Sequence, residues 1–156
     1  MSLLRLMKRD VDNLMTEKIQ RMHGTEIAGN DTAGLLIQFA ELNGFKFLEF
    51  QVIAPLKVKT FKGCVVTIKG AKGSLEIESD TMEIDTDYSK SLGLGITEFD
   101  IDLEDELIDM IKNDILQSIT IKVDGKMLVL TVKNQAELQA KITSGSDTPP
   151  QQLPNE

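Results

Sequence analysis

The sequence predicts an α+β fold. The expected core is a strongly curved antiparallel sheet, or a partly closed barrel, of about five to seven strands. An N-terminal amphipathic helix packs on it, with one or two short helices. Three observations predict this. Apolar residues recur at helical spacing up to Met22, but after Gly44 they alternate with polar ones in the manner of strands. Two strand–turn–strand patterns surround Gly70–Gly73 and Asp124-Gly125. Between them, an acidic cluster after Leu103 opens a short helical period. A β-sandwich with peripheral helices is the architectural alternative.

The elements follow in chain order. Residues 1–22 form a helix whose apolar stripe holds Leu4, Met7, Val11, Leu14, Met15 and Met22. His23-Gly24 ends it, because glycine supplies the left-handed cap. Residues 24–34 read as a loop. Asn30 or Asp31 then N-caps a second helix over residues 32–42, with Leu35, Leu36, Phe39 and Leu42 as its apolar face. The stretch from Phe45 to Phe50 is apolar on both faces and is read as a buried strand, interrupted at Pro55. Cys64, Val66 and Ile68 point inward on the next strand, Leu75 and Ile77 on its hairpin partner, then Met82 and Ile84. Phe99, Ile101 and Leu103 alternate with Glu98, Asp100 and Asp102. Asp102 is the expected N-cap of a helix with Leu107, Ile108, Ile111 and Ile115 on its inner stripe. That helix joins two strands and allows one parallel crossover. Ile119, Ile121 and Val123 lead to the second hairpin, whose returning strand is apolar on both faces through Met127 and Val129. One or two helical turns over residues 134–142 close a single domain, 1–142. Residues 143–156 are polar and proline-rich and read as a tail.

Charge is unevenly placed. The net charge is -8, which opposes nonspecific nucleic-acid binding. Residues 1–22 hold five bases and three acids. Residues 45–72 hold six lysines against Glu49, and residues 76–109 hold thirteen acids against Lys90. Two readings follow: lysine–acid pairs across a wet sheet face, or an acidic surface that selects a basic partner protein.

The sequence offers little chemistry. One histidine, His23, and one cysteine, Cys64, leave no internal disulfide and no cysteine-based zinc site. Cys64 falls among core positions, where a thiol is inert. Asp100 with Asp102, and Asp85 with Asp87, share strand faces closely enough to raise one another's pKa. Calcium-loop readings from Asp85 or Asp100 put the wrong residues at the glycine and glutamate positions. Gly93-x-Gly95 lacks the third glycine of a dinucleotide fingerprint, and Gly70–Gly73 lacks the order of a phosphate loop.

The expected protein is therefore a non-catalytic interaction or assembly subunit, cytoplasmic, with no cofactor, no metal and no membrane span. It self-associates or docks on a protein partner through Leu4, Met7, Val11 and Leu14. Two other readings stand beside it. One is a barrel binding a small apolar ligand or lipid, lined by Phe45, Phe47, Phe50, Phe61 and some of the seven methionines. The other, less supported, is a metal-assisted carboxylate hydrolase.

Overall fold

The computed structural model describes residues 26–144. The expected helix over residues 1–22, with Leu4, Met7, Val11 and Leu14, lies outside the described residues. So do His23 and the tail from residue 145.

Eleven strands and two helices make up the described chain. The strands are β1 (Glu26–Gly29), β2 (Gly34–Leu42), β3 (Phe45–Ala54), β4 (Lys59–Thr60), β5 (Cys64–Gly70), β6 (Ser74–Glu78), β7 (Ile84–Asp85), β8 (Asp87–Ser89), β9 (Leu94–Asp102), β10 (Leu116–Val123) and β11 (Lys126–Val132). The helices are α1 (Asp105–Asn113) and α2 (Gln135–Ser144). No helix among the described residues is long and apolar enough to cross a membrane.

Nine strands form one sheet, in the order β6, β5, β10, β11, β1, β2, β3, β9, β8. Every neighbouring pair is antiparallel. The sheet is thus larger than the sequence suggested, and it is not closed. Strands β4 and β7 form a separate two-stranded sheet. Among the described residues there is no parallel crossover: α1 carries the chain from β9, near one end of the sheet, to β10, near the other.

One contiguous core joins the two halves of the sheet. It includes Leu35, Phe39, Leu48, Phe50 and Phe99 from one half, and Cys64, Val66, Ile68, Ile119 and Ile121 from the other. Phe50 and Phe99 sit directly opposite in register and stack with ring centroids 5.2 Å apart. Leu107 and Ile111 of α1 and Leu138 and Ile142 of α2 complete this core.

The hairpins form where the turn residues direct them. Asp124 and Gly125 adopt φ of 53° and 73°, and Asn43 and Gly44 adopt 53° and 85°. Paired left-handed residues match the twist of the flanking strands. In contrast, residues 32–42 are not helical; they hold β2. A strand buried on both faces shows no clean alternation, so Leu35, Leu36 and Phe39 satisfy a helical spacing as well. Asn30 explains the rest of that discrepancy. Its Oδ1 accepts hydrogen bonds from the backbone N–H of Thr32 (2.9 Å) and Ala33 (2.8 Å). An N-cap makes the same bonds to the residues two and three positions on, so the residue type cannot separate a helix start from a turn. Here the turn joins β1 to β2, and β1 occupies part of the expected loop.

The connecting helix is displaced from its expected start. Asp102 ends β9, and Glu104 is the N-cap of α1. Leu107 and Ile111 are buried as expected, but Ile115 lies beyond the C-cap Asp114 and is exposed. The end of α1 is closed from α2: Gln135 Nε2 donates to the carbonyls of Ile111 and Asp114, and Gln139 Nε2 donates to Ile111. Helix α2 runs to Ser144, past the point where the sequence turns polar. Met127 and Val129, expected to be covered, are exposed.

The edge of β6 continues into a tether. Ser79 N–H donates to Cys64 O, and Cys64 N–H donates to Ser79 Oγ, both at 2.9 Å. Ser79 Oγ donates to Thr81 O at 2.7 Å. Ser79→Ala leaves the buried Cys64 N–H without an acceptor, and should lower the unfolding free energy by about 1–3 kcal/mol. Urea unfolding of the two chains checks this; an unchanged midpoint would show that another acceptor replaces the serine.

Candidate functional site

Where the sheet fails to close, a groove opens between β6 and α1. Among the described residues strand β6 has one partner, β5, and its other edge is unpaired in the sheet. Two adjoining cavities of about 250 and 260 Å³ line up along it, sharing Leu75 and Glu106. The floor is apolar, from Leu75, Ile77, Leu107 and Met110. The walls are acidic: Glu76, Glu78, Asp80, Asp102, Glu104, Glu106 and Asp109 all line the two cavities.

One end of the groove is rigid. The Asp114 carboxylate accepts from Lys72 N–H at 3.1 Å and Ile115 N–H at 2.7 Å. Gly70 permits this approach, since a Cβ there would overlap Asp114 Oδ2. Lys72 Nζ also donates to Asn113 O at 3.2 Å, satisfying a carbonyl at the end of α1. At the other end, the tether after β6 reaches across to β9. Asp80 N–H donates to Asp100 O at 2.8 Å, and Asp100 N–H donates to Thr81 Oγ1 at 2.9 Å.

This tether forces carboxylates together. A hydrogen bond with Asp102 pushes the Asp80 carboxyl up to about 6. Partial desolvation and the charges of Asp102, Asp100 and Glu104 add to the effect. Burial, and then the charge of Glu98, raise Asp100. The protonated form of Asp80 can donate where two carboxylates would repel.

The other candidates from the sequence are dispersed. Asp85 belongs to β7 and Asp87 to β8, in different sheets, and both are exposed on either side of the buried Thr86. Asp85 sits opposite Lys59. Cys64 is buried, and desolvation pushes its thiol up to about 11 despite the Ser79 hydrogen bond. Among the described residues, no group of three His, Cys, Asp or Glu side chains is placed to hold a metal ion. Phe45 and Phe61, expected to line a ligand cavity, are exposed, while Phe50 packs on Phe99 in the core.

Lysine and acid stand opposite in register at Lys59 and Asp85 and at Lys46 and Glu41. On β5 and β6, Thr67 faces Glu76 and Val65 faces Glu78. On β3 and β9, Glu49 faces Asp100, acid against acid. The groove itself was not legible as a site. Its acids come from β6, the tether, β9 and α1, and only the topology brings these together. The acid run between residues 76 and 109 was the one available signal.

No family model, no curated protein and no solved structure matches the chain.

The raised Asp80 fixes a pH dependence. Its folded pKa lies above the ordinary carboxylate value of 3.8. The stability it contributes is therefore fully present below about pH 4 and is lost as pH rises through about 6. Asp80→Asn should raise the melting temperature relative to the parent at pH 7.5, and this advantage should shrink to nothing near pH 4. Thermal scans across that range check the sign. An equal effect at both ends would remove the carboxylate repulsion from the account.

Proposed function

We propose that the protein is a non-catalytic interaction or assembly subunit, and that the groove between β6 and α1 takes an extended basic segment of a partner protein. The observation that carries this reading is the unpaired β6 edge lying beside acidic walls over an apolar floor. An open edge offers main-chain hydrogen bonds to an added strand. Alternate side chains of that strand meet the floor formed by Leu75 and Ile77. The acidic walls favour lysine and arginine at the outward positions and disfavour acidic segments. The negative field also speeds encounter with a basic partner at low salt.

The groove is a different docking surface from the one expected at Leu4, Met7, Val11 and Leu14. Ligand binding within a barrel has weaker support, since Phe45 and Phe61 are exposed and Phe50 and Phe99 pack on one another.

A short peptide of alternating valine and lysine is the probe. Added to the isotope-labelled protein, it should shift backbone amides of β6 and α1, with binding that weakens as salt is raised. Glu106→Lys with Asp109→Lys should abolish those shifts without changing the circular dichroism, since both side chains are exposed. An absence of shifts in β6, or equal binding of a valine–glutamate peptide, would contradict the proposal.

A further inference from the structure

Part of the outer face of β2, β3 and β9 is buried although the described core does not reach it. Register places Ile53 beside Ile96 and Gly34, and Leu36 beside Gln51 and Glu98 in the next row. These side chains project away from Leu35, Val52 and Phe50, which point into the core. Yet Leu36, Ile53 and Ile96 are only 1%, 0% and 2% exposed. None of the three belongs to the contiguous core, into which both α1 and α2 send their buried apolar side chains. Neighbours within a sheet cannot bury a side chain that stands perpendicular to it; a second layer is required. The same face holds a buried acceptor, Gln51 Oε1, with no hydrogen-bond partner among the described residues. It also sets Glu49 opposite Asp100, a pairing that favours a cation above it.

We infer that the N-terminal segment, residues 1–22, packs as an amphipathic helix across this face. Its charge, connection and length all fit. It brings Arg5, Lys8, Arg9, Lys18 and Arg21, suited to Glu49, Glu98, Asp100 and the Gln51 acceptor. It joins the sheet at Glu26, whose side chain already lies on this face against Gly34 and pairs with Lys133 at 3.1 Å. The four steps from Met22 to Glu26 span at most about 14 Å, which holds the end of the segment beside β1 and β2. The stripe from Leu4 to Leu14 is about 15 Å long as a helix, and the three strands span roughly 10 Å between their outer axes. The other chain end is a poorer match: residues 145–156 contain one large apolar side chain, Leu153. The inference is independent of the β6 groove, and it assigns the stripe of Leu4, Met7, Val11 and Leu14 to the chain's own sheet rather than to a partner.

The test uses the full chain. Ile96→Cys, in a Cys64→Ala background, places a thiol on the outer face. It should react with a soluble thiol reagent on the order of tenfold more slowly than in the same chain carrying Met7→Asp, Val11→Asp and Leu14→Asp. Equal rates would overturn the inference. Protection that disappears on dilution would also overturn it, by assigning the cover to a second copy. Carbodiimide coupling of the unmodified protein guards against misfolded variants. Links from Lys8 or Lys18 to Glu49, Glu98 or Asp100 are expected in the monomer. Links confined to dimers, links to Glu76, Glu106 or Asp109 in the groove, or no links would contradict it.

Discussion

Strands β2, β3 and β9 carry apolar side chains on both faces, and much of the structure follows from that constraint. Leu35, Phe39, Phe50 and Phe99 require the inner core. Leu36, Ile53 and Ile96 require cover outside. A half-sheet of this kind is stable only as the middle layer of three. The other half, from β6 to β11, is wet outside: Thr67, Thr120 and Val129 form one outward row, and none is buried. One sheet thus presents a solvated face over β5, β10 and β11 and buried apolar side chains on the outer side of β2, β3 and β9.

The second feature is the incomplete closure. Nine strands curl far enough that the tether after β6 reaches β9 by two backbone-directed hydrogen bonds. A further strand at that place would pair the remaining edge. Instead the chain sets α1 beside the gap and lines it with acids, raising the Asp80 pKa. Crowded carboxylates oppose folding at neutral pH, so the Ser79 hydrogen bonds and the apolar floor must offset that repulsion. The same crowding makes the groove selective between basic and acidic segments.

The fold was legible where local chemistry and tertiary context agree. Asp124-Gly125 sets its hairpin, and β5, β6 and β10 each face one core, so their sequences alternate. Legibility failed at β2, where burial on both faces erases the period of two and Asn30 serves a turn with the bonds of a helix cap. It failed again at Asp102, because an acid before a helical stretch suits a strand end as well as an N-cap. The groove was legible only as an acid-rich run. Its shape depends on β9 and β6 meeting across the gap, a long-range contact that no local pattern encodes. The stripe on residues 1–22 was visible, but the sequence alone gave no surface to match it.

Between β2 and β9 the sheet is inferred to be a middle layer covered by the chain's own N-terminal segment. Hydrogen–deuterium exchange on the dilute, full-length monomer tests it most directly. Amides of residues 4–20 should be protected, and should open together with those of β2, β3 and β9 as denaturant is added. Exchange of residues 4–20 at the rate of a free peptide, while β2, β3 and β9 remain protected, would contradict the account.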